Sequence, residues 1–166
     1  MRNFLLGVVI TLIVLGGGAL LAAVTGLMSL TADQHPGRLE TKIASRVLDT
    51  NMERLAPRSE SPLPATDANL MEGMRFYVMN CALCHGSMDK KESVLGRSFY
   101  PPAPQLVIDP MDDPEWHIFY AAKHGIRWTG MPAWDKSAND DELWKVTMFL
   151  SRVDKLPPAV QQVIGK

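Results

Sequence analysis

The hydrophobic pattern divides the chain into four segments, and the first is continuously apolar. Residues 4–30 read "FLLGVVITLIVLGGGALLAAVTGLMSL" and contain no charged side chain. A helix of about 20 apolar residues spans the hydrocarbon core of a bilayer. The apolar region of a cleaved signal peptide is usually shorter, at about 7–15 residues. The pattern therefore predicts a transmembrane anchor over residues 1–30, with a cleaved signal peptide as the alternative.

The second segment, residues 31–68, combines an amphipathic stretch with a proline-rich linker. Apolar side chains recur mostly at steps of three or four residues, which predicts a helix with one apolar face. They are Leu39, Ile43, Val47, Leu48, Met52 and Leu55. The following residues, "APRSESPLPATDA" at 56–68, place prolines among small polar side chains and predict an extended linker. The apolar face is typical either of ordinary core packing or of a helix that docks on another subunit or on the membrane surface.

The third segment, residues 69–156, has the mixed pattern of a small helical domain, and residues 157–166 form a tail. "DANLMEGMRFYVMN" and "DDELWKVTMFLSRV" both show the apolar period of helices. The whole chain has 17 Lys+Arg and 18 Asp+Glu, a formal net charge of −1. With charges this evenly balanced, the sequence does not predict the positively charged surface that a nucleic acid partner would need.

Both cysteines of the sequence lie in "CALCH", where His85 follows Cys84 directly. A redox dithiol of the thioredoxin type would follow a strand, whereas the residues before Cys81 have helical spacing. A structural zinc site needs four ligands, and the other histidines lack the paired spacing of such sites. The remaining alternative uses every part of the motif, because C-x-x-C-H is the attachment sequence of haem c, with the histidine as an iron ligand.

A second axial ligand would distinguish an electron carrier from an open, reactive haem. Met131 lies in "GIRWTGMPAW", where Gly130 and Pro132 prevent a continuous helix and hold the thioether in a loop. This loop is far enough from His85 to return on the other side of a porphyrin. His117 and His124 are the alternative ligands.

"CALCH", "TGMPAW" and the closing helix together resemble class I c-type cytochromes, similar to the haem domains of bacterial oxidase cytochrome c subunits. The resemblance covers roughly residues 69–156. It implies an all-α, class I cytochrome c fold around one covalently attached heme c, here preceded by a single N-terminal transmembrane helix and a linker. It also implies iron ligation by His85 and Met131, and one-electron transfer in place of enzyme catalysis.

The same resemblance implies roles for positions outside the two motifs. "SFYPPAPQL" resembles the proline-rich stretch in which a backbone carbonyl accepts the His Nδ1 hydrogen and a leucine packs on the haem, which suggests Pro101, Pro102 and Leu106. Arg127 and Trp128 precede the methionine loop and are candidates to contact a haem propionate.

Family membership further implies a location, because bacterial haem attachment takes place outside the cytoplasm. We expect a single-pass protein of the bacterial inner membrane with its haem domain on the periplasmic or outer face. Its expected partners are redox proteins, subunits of a membrane complex and the lipid bilayer. The leading hypothesis is a tethered carrier for, or a subunit of, a respiratory or photosynthetic complex. The alternatives are a haem enzyme such as a peroxidase with a displaceable methionine, and a non-haem protein with free thiols.

Overall fold

The computed structural model describes residues 1–27 and 29–164, and the described residues form helices and loops without any strand. Eight helices follow one another along this part of the chain. They are α1 (Arg2–Val24), α2 (Arg38–Leu55), α3 (Asp67–Asn80), α4 (Ala82–His85), α5 (Val94–Arg97), α6 (Glu115–His124), α7 (Asp140–Leu150) and α8 (Pro158–Ile164). The all-α prediction is confirmed. Met28 of the expected anchor and Gly165 and Lys166 of the expected tail lie outside the described residues.

Helix α1 belongs to the first of two compact units, Met1–Thr31. Its 23 residues correspond to a length of about 35 Å. The Thr11 hydroxyl donates to the Gly7 carbonyl at 2.9 Å, so this polar group is satisfied inside the helix. By length and composition α1 is able to cross a membrane.

The second unit, Ala32–Lys166, is organised by α3 packing on α7. The Thr66 hydroxyl accepts from the Asn69 N–H at the start of α3. Asn139 and Glu142 form a reciprocal capping box at the start of α7, at 2.9 and 3.0 Å. These caps fix where both helices begin.

The two helices approach most closely at Gly73. A Cβ atom at this position would overlap the backbone carbonyl of Lys145 on α7, so only glycine permits the observed approach. One turn later, the ring of Tyr77 packs against Phe149 at 5.7 Å between centroids. The hydrophobic core continues from this crossing to α6 through Ile118 and to the C-terminal helix α8 through Val160.

Helix α2 packs on α6 with one side and leaves the other side in solvent. Met52 and the following Ala56 are buried. The apolar side chains at Leu39, Ile43 and Val47 are 72, 56 and 59% exposed. Its apolar positions therefore divide between two faces, instead of forming the one face that the spacing predicts. The linker after α2 is also in contact with the domain, since Leu63 packs against the core.

Candidate functional site

An apolar cavity of about 340 Å³ lies in the second unit, with walls from five helices and two loops. It brings together seven of the nine predicted site residues. They are Cys81, Cys84, His85, Pro101, Pro102, Leu106 and Met131. Further walls come from Phe76 of α3, Ile118 of α6, Leu143 of α7 and Trp134. A concave, mostly apolar site with a few converging polar groups is typical of cofactor pockets.

The two cysteines and His85 are presented by one helical turn that follows α3. The N–H groups of Cys84 and His85 both donate to the Cys81 carbonyl, at 3.0 and 2.9 Å. Burial raises the pKa of the Cys81 thiol to about 12, with the neighbouring Cys84 as a smaller cause. Nucleophilic redox dithiols show the opposite shift, so this environment does not favour the free-thiol hypothesis.

Tyr77 connects the turn that carries the cysteines to the hydrophobic core. Its buried hydroxyl lies 3.0 Å from the His85 carbonyl and 2.7 Å from the Gly86 carbonyl, to which it donates. Desolvation is the main cause that raises the pKa of this phenol, and the nearby Cys81 adds to it. The tyrosine therefore stays protonated and keeps its donor role throughout the ordinary pH range.

We predict that Tyr77→Phe destabilises the protein by about 1–3 kcal/mol, because it leaves the buried Gly86 carbonyl without its side-chain donor, while the His85 carbonyl keeps the Leu106 N–H. Urea unfolding followed by circular dichroism measures the difference. Tyr120→Phe is the matched control, since Tyr120 is half-buried and does not bridge two carbonyls of the motif. Equal stability of the two variants would contradict the anchoring role.

The imidazole of His85 is oriented by a backbone carbonyl. Its Nδ1 lies 2.9 Å from the Pro104 carbonyl, which can accept only if Nδ1 carries the hydrogen. This tautomer leaves Nε2 as a lone-pair donor, the form in which imidazole binds metals. Burial lowers the pKa of His85, and the hydrogen bond to Pro104 opposes this effect. A neutral, oriented imidazole is the result.

The acceptor is therefore Pro104, while Pro101 and Pro102 contribute their side chains to the cavity wall. Sequence reasoning selected the correct proline-rich stretch and missed this residue within it. Leu106 lines the cavity, and its N–H donates to the His85 carbonyl at 3.0 Å.

Gln105 is a second positioning residue that the sequence did not reveal. Its buried side chain accepts from the Ser93 N–H at 2.7 Å and donates to the Cys84 carbonyl at 3.2 Å. It thereby connects the proline-rich loop to the cysteine motif. A single glutamine between a proline and a leucine carries no sequence signal for burial, because glutamine in loops is usually exposed.

Met131 is held in its loop by hydrogen bonds on both sides. Its N–H donates to the Thr129 hydroxyl at 3.0 Å, and its carbonyl accepts from the Ile126 N–H at 3.2 Å. Gly125 lies directly beneath, with a positive φ of 66°. These contacts fix the backbone of Met131, which lines the cavity.

Another methionine, Met111, also lines this cavity and is half-buried. Met111 lies among acidic turn residues, and such a position does not predict an iron ligand. The alternative ligands His117 and His124 do not contribute to the cavity wall in the part of the chain that the structure describes.

Arg127 and Trp128 lie on the surface beside the methionine loop and outside the cavity lining. The guanidinium of Arg127 lies 5.9 Å from the centre of the Trp128 ring, and that ring is 87% exposed. Their contact with a haem propionate stays a prediction.

The donor set at the cavity fits haem c. Two thiols in C-x-x-C-H spacing, a neutral imidazole and a thioether border one apolar space. Throughout residues 1–27 and 29–164 there is no group of three or more His, Cys, Asp or Glu side chains arranged to hold a metal ion.

Comparison with known protein families agrees with this chemistry. The family model described as cytochrome C oxidase, cbb3-type, subunit III matches residues 68–150, which is half of the chain. No match was found among curated proteins or among solved structures. The predicted resemblance and the covalent haem c are confirmed. The chain belongs to the family of cbb3-type cytochrome c oxidase subunit III, and its matched residues form the haem domain of a c-type cytochrome that transfers electrons.

Proposed function

We propose that this protein is a one-electron carrier anchored in the bacterial inner membrane by α1, with its haem domain on the periplasmic or outer face. It acts as a subunit of, or a tethered carrier for, a respiratory or photosynthetic electron-transport complex. The observation that carries the proposal is the convergence of Cys81, Cys84, His85 and Met131 on one apolar cavity.

Each of these four residues has a distinct role in the proposal. Cys81 and Cys84 would hold the porphyrin through thioether bonds, and His85 would bind the iron through Nε2. Met131 would supply a second, thioether ligand. When bound, the haem iron supplies the chemistry, which is the exchange of one electron between its ferric and ferrous forms.

The remaining residues of the site keep these ligands in place and exclude water. The Pro104 carbonyl fixes the ring of His85, and the hydrogen bonds of Thr129 and Ile126 fix the Met131 loop. The apolar lining limits the access of water to the site. Both this exclusion of water and the thioether ligand raise the reduction potential. No side chain is required to transfer a proton.

Redox partners are proposed to approach beside the cysteine motif. Leu83, between the two cysteines, is 71% exposed, and the neighbouring Met79 is exposed as well. Exposed apolar side chains next to a cofactor favour a docking surface with little charge dependence.

The choice of a complex subunit over a tethered carrier is supported by α1. Gly16, Gly17 and Gly18 follow one another in this helix and carry no side chain. Such a small-residue surface allows another transmembrane helix to approach closely.

The test is purification of the full chain from membranes in mild detergent, followed by a reduced-minus-oxidised visible spectrum. A covalent haem c spectrum with reversible one-electron titration is expected, in a particle larger than this chain alone. Ready binding of carbon monoxide to the native ferrous protein would contradict stable methionine ligation and favour the peroxidase alternative. A haem-loaded chain that purifies alone would contradict the subunit role and leave the carrier role.

The methionine loop provides a further prediction. Gly125→Ala places a Cβ atom 2.7 Å from the Ala133 nitrogen and 2.8 Å from the Met131 carbonyl oxygen, at a φ of +66°. We expect the loop to shift and the share of protein with methionine on the iron to fall. The stability cost should exceed about 1 kcal/mol, because the left-handed backbone is also strained. Ferric absorption in the far red measures the ligation.

Gly26→Ala is the matched control for this variant. Gly26 has a similar positive φ of 74° but meets nothing within 4 Å, so its replacement adds backbone strain without crowding. If Gly125→Ala left methionine ligation as intact as Gly26→Ala does, the close contact beneath Met131 would have no role in holding the ligand.

A further inference from the structure

Helix α2 reaches the haem cavity although it lies outside the residues that match the family. The family match begins at residue 68, whereas α2 spans Arg38–Leu55. Leu48, at its middle, is half-buried and forms part of the cavity wall together with Ile118 of α6 and the prolines of the 101–104 loop. A segment that precedes the cytochrome domain in sequence therefore completes the pocket in space.

Contacts at both ends of α2 fix its position on the domain. At its start, the Tyr100 hydroxyl donates to the Glu40 carboxylate at 2.7 Å. Tyr100 directly precedes the proline-rich loop that orients His85. This hydrogen bond therefore joins the helix to the loop on the His85 side of the cavity.

The other end of α2 is fixed on α6. The Glu53 carboxylate lies 3.7 Å from His117 Nε2, and Arg58, just beyond the helix, lies 5.5 Å from the centre of the Trp116 ring. Met52 is buried one turn after Leu48. These contacts span the helix on either side of Leu48 and hold its side chain at the wall.

We propose that α2 is a permanent cover of the haem pocket and that Leu48 is a haem-packing residue that helps to set the reduction potential. An apolar wall keeps water and its dielectric away from the iron, which disfavours the ferric charge. The proposal depends on haem attachment at the cavity and not on the identity of the membrane complex. Helix α2 also closes this side of the pocket to redox partners.

The adjacent residue provides a matched control. Val47 is 59% exposed, on the same helix and one residue away. In the full haem-loaded chain in detergent, Leu48→Ser should lower the midpoint potential relative to the parent, whereas Val47→Ser should leave it unchanged. The proposal would be overturned if Leu48→Ser and the parent had equal midpoint potentials and the same circular dichroism spectrum. It would also be overturned if Leu48→Ser and Val47→Ser shifted the midpoint potential by the same amount.

A second measurement does not depend on how the variants fold. In the diamagnetic ferrous parent, a methyl group packed on the porphyrin shows a ring-current shift and nuclear Overhauser contacts to haem protons. We expect both for the Leu48 methyl groups, with the resonances assigned by their disappearance in Leu48→Ile, and neither for Val47. Absence of any contact between Leu48 and the haem would overturn the proposal even if Met131 ligation and electron transfer were established.

Discussion

Met131→Ala is expected to lose the weak far-red absorption band of ferric, thioether-ligated haem and to lower the midpoint potential. The thioether favours ferrous iron, so its loss stabilises the ferric form. The expected fall is on the order of a few tenths of a volt, within the range of about 0.8 V over which axial ligands set haem potentials. Visible spectroscopy and a redox titration of the membrane protein measure both effects.

Met111→Ala is the matched control, because Met111 is a second methionine that lines the same cavity. It should keep both the band and most of the potential. If Met111→Ala lost the band and Met131→Ala kept it, the ligand assignment would be reversed. If both variants kept the band, neither Met111 nor Met131 would be the sixth ligand of the iron.

Gly73→Ala is expected to cause a large loss of stability at the crossing of α3 and α7. The new Cβ would overlap the Lys145 carbonyl, and a backbone atom inside a helix cannot yield as a side chain does. Overpacking costs typically about 1–3 kcal/mol and occasionally more. A domain stability of about 5–15 kcal/mol makes such a loss easy to measure. Thermal unfolding of the haem-loaded protein provides the readout.

Gly37→Ala serves as the control because a Cβ atom at Gly37 meets nothing within 4 Å and its backbone is compatible with alanine, at φ −64°. Only a small effect is expected there. Comparable unfolding temperatures for the two variants would show that α3 and α7 have room to separate without cost.

The predicted site residues that line the cavity together are mainly those selected by local spacing. The C-x-x-C-H motif fits one helical turn, so Cys81, Cys84 and His85 reach the cavity together. Gly130 and Pro132 break the helix around Met131, and the resulting loop meets the same cavity. The all-α class follows from apolar periods that suit helices, and the structure contains the corresponding helices α2, α3 and α7.

The residues that sequence reasoning missed depend on contacts between distant segments. Pro104 is one of several prolines within a short loop, and only the position of His85 selects its carbonyl as the acceptor. Gln105 is buried because the Ser93 N–H and the Cys84 carbonyl both need a partner. In α2, periodicity cannot tell which of two adjacent apolar residues, Val47 or Leu48, faces the domain.

The apolar cavity has a consequence for the life of the protein in the cell. Its walls come from α2, α3, α4, α6 and α7, so a bound haem would contact five of the eight helices that the structure describes. A chain that never receives its cofactor must either expose these walls to water or collapse around them, and both states are poor in stability. Quality-control proteases degrade such chains preferentially. The abundance of this protein should therefore follow the cell's capacity to deliver and attach haem, even when its synthesis is constant.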